Sequence, residues 1–166
     1  MRLAFKLKHH FFSAFREIFV HHHGSLEFRA KIFALIIAAN EKAQEESYII
    51  VKNIALEIYE GDEDRANLLM MSTKELVKKV TDHNGLDLDT LVVSIQKELR
   101  IVPRYAKKIE IKILQPIVDL SYDTDTTSYQ ENILEFLQNL KEETLSTKKD
   151  QIVEDEEKLL QESNTK

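Results

Sequence analysis

The chain is poor in the residues that turn a polypeptide. Its 166 residues include three glycines and two prolines. A sheet protein needs turn residues between closely spaced strands, whereas long helices tolerate their scarcity. Because 43% of the residues are hydrophobic and 31% are charged, there is enough apolar material for one core beneath a solvated surface. We therefore predict an all-α fold, a compact single-domain bundle of about seven helices.

One segment around Ile36 is apolar at almost every position. Residues 28–39 contain the longest apolar run in the chain, which is far shorter than the roughly 20 residues that a membrane span requires. A helix that is apolar all round is typically central and buried. We expect Gly24 to end the helix that precedes it and Ser25 to cap this central helix.

Caps and helix breakers predict most of the other boundaries. A helix from about Glu45 to Glu60 should end at Gly61. Ser72, with Glu75 three residues later, resembles a capping box and predicts a bend or a restart of the helix. Asp87 or Asp89 should cap the next helix. Pro103 should begin a helix that reaches about Leu120, with Pro116 kinking or breaking it.

The last helix of the bundle is predicted to follow a loop at residues 123–127, with Thr127 or Ser128 as its cap. Beyond Leu145 the apolar content thins, and acidic residues dominate. Ile152, Val153, Leu159 and Leu160 could form a marginal helix, but we expect residues 146–166 to be a mobile acidic tail. The predicted organisation is thus an N-terminal helix at 1–23, a helical domain at 24–145 and the tail.

Residues 1–23 are predicted to form an amphipathic, basic helix. Phenylalanine and leucine fall on one side, with Lys8 as the only charge among them, and the other arginine, lysine and histidine residues up to Arg16 fall on the opposite side. Such a helix either packs on the bundle or binds an anionic membrane surface or a groove of a partner. The candidate contact residues are Lys6, Lys8, Phe11, Phe12 and Phe15.

Two clusters offer potential metal ligands. His21, His22 and His23 are consecutive, and imidazole binds zinc, nickel and copper, although histidines also suit a helix C-terminus. Asp123 and Asp125 are oxygen donors in the predicted loop. Their spacing does not match a calcium-binding loop, and helix capping explains them equally well.

Other classes of function lack their signatures. The chain has no cysteine, no glycine-rich phosphate loop, and neither a G-x-S-x-G nor an H-E-x-x-H motif. Its net charge of -6 argues against a nucleic-acid partner. We also expect neither a signal peptide nor a transmembrane helix. The sequence therefore predicts a non-enzymatic protein without an obligatory cofactor.

Two segments of the chain have related patterns. Residues 28–46 form an apolar helix followed by Asn40 and Glu46, and residues 117–131 form the second unit. In these two units the chain resembles the TerB-like family of tellurite-resistance and DnaJ-type co-chaperone modules. The family's acidic positions fall on Asn40, Glu46, Asp123, and Gln130 or Glu131. Asn40 and Glu41 replace the family's Asp-Gly, and Asn40 lacks the carboxylate that a cation would need.

The resemblance implies a helical bundle linked to stress or tellurite resistance. It further implies a bacterial, cytoplasmic protein, peripheral at the inner membrane, with a protein partner or anionic lipid surface as its target. A divalent cation would be held by Glu46, Asp123 and Asp125. The alternatives are a co-chaperone-like adaptor that binds one partner protein, and a carboxylate-based, divalent-cation-dependent enzyme or metal-binding protein.

Overall fold

The computed structural model describes residues 24–163, with the side chains of residues 24–160. The described chain is helical and contains no strand, which confirms the predicted all-α fold with about seven helices. Its elements are α1 (Gly24–Ala38), α2 (Glu45–Ile58), α3 (Glu63–Thr81), α4 (Leu88–Ile101), a 3-10 helix (Pro103–Lys108), α5 (Ile111–Val118) and α6 (Thr124–Ser163).

Helix α1 is the centre of the bundle. Ten of its 15 residues are buried, and it packs against α3, α4, the 3-10 helix, α5 and α6. A helix with apolar side chains on every face can be removed from solvent only if other elements surround it. The prediction that the helix around Ile36 is central and buried is confirmed.

Several predicted helix ends are confirmed by their hydrogen bonds. Helix α2 ends near Gly61 as predicted, but Tyr59 is its C-cap, so Glu60, with a φ of +54°, occupies the C′ position expected for Gly61. Gly61 follows with a φ of +86°, and its N–H donates to the carbonyl of Leu56 at 2.8 Å, which closes the end of α2. Asp87 caps α4, because its Oδ1 accepts from the Thr90 N–H at 2.7 Å.

Two expected boundaries inside the first half of the bundle are wrong. Ser25 lies within α1 and is not its N-cap, whereas the predicted end of the preceding helix at Gly24 concerns residues outside the described part of the chain. Helix α3 is unbroken at Ser72. The buried Thr73 donates to the Leu69 carbonyl at 2.8 Å and continues the face on which Leu69 and Val77 are buried. Burial of one continuous face thus outweighs the local capping signal.

The helix predicted from Pro103 to Leu120 is divided into two elements. The 3-10 helix has Pro103 in its first turn, and Ile109 then takes an extended conformation (φ -83°, ψ 102°). Its fully buried side chain lies in the core. Pro116 lies inside α5, two residues before its end at Val118. A proline deprives the preceding turn of a hydrogen bond, which is consistent with so short a helix.

Helix α6 differs most from expectation. It begins at Thr124, within the predicted loop, and Asp123 rather than Thr127 or Ser128 is the cap. It then crosses residue 146 without a break and continues to Ser163, so the segment predicted as a separate tail is helical through that residue. After Pro116 the chain has no glycine or proline, and extending an existing helix avoids the cost of nucleation.

A buried glutamine fixes α6 against α1. Gln130 is 1% exposed. Its Nε2 donates to the Ile36 carbonyl at 2.9 Å, and its Oε1 accepts from the Ser121 hydroxyl at 2.6 Å. The amide therefore satisfies a carbonyl near the end of α1 and ties the α5–α6 turn to it.

Candidate interaction surface

The residues predicted to contact a membrane or partner lie outside the described part of the chain. They are Lys6, Lys8, Phe11, Phe12 and Phe15, and the cluster His21–His23 also lies there. The structure does describe the point at which this segment joins the bundle, which is the first turn of α1.

Aromatic packing surrounds that junction. The ring of Phe28 lies 5.2 Å from the ring of Tyr105, centroid to centroid. Gly24 packs directly against Tyr105, because a Cβ at Gly24 would lie 2.8 Å from the tyrosine Oη. The chain thus enters α1 against the 3-10 helix.

A cationic patch, defined here as Arg29, Arg104 and Lys108, lies beside the same junction. Arg29 Nη1 contacts Glu110 Oε1 at 3.3 Å, and the Arg29 side chain is 11% exposed. Burial lowers the pKa of Lys108, and the charges of Arg29 and Arg104 lower it further, whereas Glu110 raises it. Three cations around one carboxylate leave a local excess of positive charge in a chain whose net charge is -6.

The cationic patch was not predicted from the sequence, although some of its basic residues are close together in the sequence. The segment Pro103-Arg-Tyr-Ala-Lys-Lys108 holds three basic residues in six positions. Arg29, however, is far away in sequence and joins them only through packing of α1 on the 3-10 helix.

An open groove of about 430 Å³ lies between α4 and α6. Apolar side chains of Leu99, Pro103 and Leu140 contribute to its lining, and charged residues at its border include Arg100, Glu143 and Lys148. The groove lies where α6 leaves the bundle.

The distal segment of α6, defined here as residues 146–163, extends beyond the bundle. Helix α6 contains 40 residues, a length of about 60 Å at 1.5 Å per residue. Leu137 is fully buried near its middle, whereas every described side chain from Ser146 to Leu160 is exposed. Exposed apolar residues of this segment are Ile152 at 48%, Val153 at 53%, Leu159 at 65% and Leu160 at 63%.

The predicted cation ligands do not form a cluster. Asp123 Oδ2 accepts from the Thr126 N–H at 2.9 Å and from its hydroxyl at 2.7 Å. These bonds, the hydroxyl first, lower the pKa of Asp123. Within residues 24–160 no three His, Asp or Glu side chains are grouped to hold a metal ion, so Glu46 and Asp125 are not joined with Asp123 in such a group.

The two units of the family resemblance nevertheless contact each other. Gln44 Nε2 donates to the Leu120 carbonyl at 3.4 Å, and Gln130 bonds to Ile36 as described above. Two positions that are acidic in the resembling family carry amide side chains here, and both amides bond to the backbone. Gln130 donates to the Ile36 carbonyl, and Asn40 Oδ1 accepts from the Lys42 N–H at 3.0 Å. Neither position offers a carboxylate to a cation.

Comparison of the chain with protein-family models, with curated proteins and with solved structures gave no match. The fold therefore defines the class, an all-α helical bundle with one greatly extended helix. None of the helices in residues 24–163 is long and apolar enough to cross a membrane.

Proposed function

We propose that this chain is a non-enzymatic, TerB-like helical module that works at an anionic membrane surface. Residues 1–23 would supply the contact, with Lys6 and Lys8 facing lipid headgroups and Phe11, Phe12 and Phe15 entering the interface. In this role the chain would be an accessory protein of a stress or tellurite response at the inner membrane.

The observation that carries the proposal is the position of the cationic patch. Arg104 is exposed and lies on the 3-10 helix against which the N-terminal segment joins α1. The bundle therefore carries positive charge beside Gly24, the residue to which residues 1–23 are joined. Each basic residue near an anionic surface contributes about 1 kcal/mol to binding, so two adjacent sources of charge reinforce each other.

Vesicle flotation tests this proposal. The full chain should float with vesicles that contain phosphatidylglycerol and stay in solution with phosphatidylcholine alone. The double variant Lys6→Glu/Lys8→Glu should lose about tenfold or more in partitioning, given about 1 kcal/mol per charge. Arg104→Glu/Lys107→Glu, which alters exposed residues of the 3-10 helix, should weaken binding in the same direction.

The matched control is Lys78→Glu/Lys97→Glu, which makes the same change in net charge at exposed positions on α3 and α4. It should retain most of the binding. Equal flotation of the control and the Lys6/Lys8 variant would mean that the loss of vesicle binding depends only on the net charge of the chain. A full chain that remains in solution with anionic vesicles would refute the membrane proposal.

A second function, an adaptor for one partner protein, is favoured by the distal segment of α6. Its exposed Ile152 and Leu159 offer apolar contacts beyond the bundle, and a helix in a groove is a common mode of recognition. If this is correct, affinity purification of the full chain should recover one stoichiometric protein, and Ile152→Ser/Leu159→Ser should lose it. Recovery of the same protein with that variant would argue against the role of α6.

A further inference from the structure

We propose that residues 1–23 dock on the distal segment of α6, so that the apolar side of the N-terminal segment covers Ile152, Val153 and Leu159. The inference concerns the chain in the absence of any membrane and does not depend on the function proposed above. A membrane surface would have to compete with this contact for the same phenylalanines, and a partner protein would have to compete with it for Ile152 and Leu159.

The surface to be covered is a narrow apolar stripe. Leu145 is partly buried against the core, and Ile152 and Leu159 follow it at intervals of seven residues. Val153 lies beside Ile152 and is 53% exposed. A seven-residue spacing keeps these side chains near one side of the helix.

The negative charge of the distal segment determines which segment can cover this stripe. From residue 150 to residue 160, α6 carries five acidic residues and one lysine. A second copy of α6 would bring two such acidic segments together, which costs free energy. Residues 1–23 carry four arginines or lysines, one glutamate and five phenylalanines, so they match both the charge and the apolar character of the distal segment.

The connection between the two segments is short. Ile36, near the end of α1, contacts Gln130 of α6, whereas the beginning of α1 contacts Tyr105. The 3-10 helix that contains Tyr105 packs on α6, where Lys141 Nζ donates to the Ile109 carbonyl at 2.7 Å. Gly24 therefore lies toward the level at which α6 leaves the bundle.

The lengths also agree. The 18 residues of the distal segment extend about 27 Å, and 23 residues in the predicted helix would extend about 35 Å. The N-terminal segment can therefore follow the whole distal segment, starting from the groove between α4 and α6 that borders Pro103 and Leu140.

Distances between two spin labels on the full chain test the proposal. The sequence has no cysteine, so His10→Cys and Ser163→Cys provide unique attachment sites. If the segments lie side by side, pulsed electron resonance should give a distance below about 30 Å, from the helical rise and a helix spacing of 8–10 Å. A segment directed back over the bundle should give about 50 Å or more by the same rise.

Two variants of the labelled chain separate docking from other causes. Ile152→Ser/Leu159→Ser should lengthen and broaden the distance distribution. The matched control, Ile49→Ser/Val93→Ser, removes apolar residues of similar exposure (59% and 61%) on α2 and α4, and it should leave the distribution unchanged. Charge reversal by Lys6→Glu/Lys8→Glu should lengthen the distance, and the added reversal Glu156→Lys/Glu157→Lys should restore it.

Three results would overturn the proposal. The first is a long distance in the parent chain, and the second is an equal response to the Ile152/Leu159 variant and its control. The third is a short distance in a mixture of the two singly labelled proteins, because it would place a second copy of the chain on the stripe. Circular dichroism of each variant confirms that α6 remains helical, so a lost contact is not mistaken for a lost helix.

Discussion

At the scale of single residues, two buried polar side chains of the described residues, Thr73 and Gln130, each hydrogen-bond to a backbone carbonyl. Gln130 is 1% exposed and Thr73 is fully buried. Thr73 bonds within its own helix, whereas Gln130 joins α6 to α1 across 94 positions of sequence. A buried group of the second kind couples two elements, so its loss affects their packing as well as a local bond.

We predict that Gln130→Leu lowers the free energy of unfolding by about 2 kcal/mol. The leucine leaves the Ile36 carbonyl without this donor and the Ser121 hydroxyl without this acceptor, and a buried unsatisfied polar group costs about 1–3 kcal/mol. Urea denaturation measures the change. Gln138 lies on the same helix, and its side chain donates to the exposed Glu142. Gln138→Leu should therefore change stability by less than about 0.5 kcal/mol. Equal effects would contradict the assigned role.

Two exposed caps should contribute to acid sensitivity. Hydrogen bonds from Thr90, the hydroxyl first and then the N–H, lower the pKa of Asp87, and those from Thr126 lower the pKa of Asp123. A carboxyl whose pKa is lowered by folding stabilises the protein above its unfolded pKa and loses that contribution as the pH falls through the folded value.

We therefore predict that Asp87→Asn/Asp123→Asn loses stability less steeply than the parent chain below about pH 4. Asparagine keeps the capping oxygen but does not titrate. Unfolding free energies measured across the acid range provide the comparison. The control Asp64→Asn/Asp150→Asn removes two other exposed aspartates. If the unfolding free energy of Asp87→Asn/Asp123→Asn fell with pH as steeply as that of the parent chain, these carboxyls would not contribute to acid sensitivity.

At the scale of elements, the α2–α3 junction depends on two consecutive residues with positive φ. Glu60 has a φ of +54° and Gly61 a φ of +86°. The Gly61 N–H closes α2 on the Leu56 carbonyl, and Asp62 immediately caps α3 through the Arg65 N–H at 3.0 Å. Two left-handed residues turn the chain quickly enough for α2 and α3 to pack together.

We predict opposite effects at these two positions. Gly61→Ala should destabilise the protein by about 1 kcal/mol, because a side chain disfavours the left-handed conformation. No heavy atom lies within 4 Å of a Cβ at Gly61, so the cost is conformational rather than steric. Glu60→Gly should be neutral or stabilise by up to about 1 kcal/mol for the same reason. Thermal unfolding of both variants provides the measurement, and a loss of stability in Glu60→Gly would contradict the argument.

At the scale of the whole molecule, stability is concentrated around α1. Leu35 is 1% exposed, whereas Ile49 on α2 is 59% exposed. We predict that Leu35→Ala costs about 3 kcal/mol, within the usual 2–5 kcal/mol for such a cavity, and that Ile49→Ala costs less than about 0.5 kcal/mol. Similar costs for both variants in urea denaturation would contradict the central position of α1.

The contact residues predicted from the sequence lie within residues 1–23, outside the described part of the chain, and the cationic patch contains none of them. Arg29 and Arg104 lie 75 positions apart in sequence and form one patch only through packing. The same limit applies to the groove, whose lining comes from α4, the start of the 3-10 helix and α6. Periodicity assigns residues to faces of single helices and cannot say which faces meet.

The sequence by itself determined the helical class, the central position of the helix around Ile36, and the approximate helix ends near Gly61 and at Asp87 or Asp89. Each follows from local chemistry: few turn residues, an apolar helix on all sides, and residues suited to helix ends. Only the tertiary structure decided that α3 continues through Ser72, that Ile109 interrupts the helix after Pro103, and that α6 extends from Thr124 to Ser163. Burial of distant side chains overrides local signals at the first two sites, and an anchored helix propagates beyond the bundle at the third.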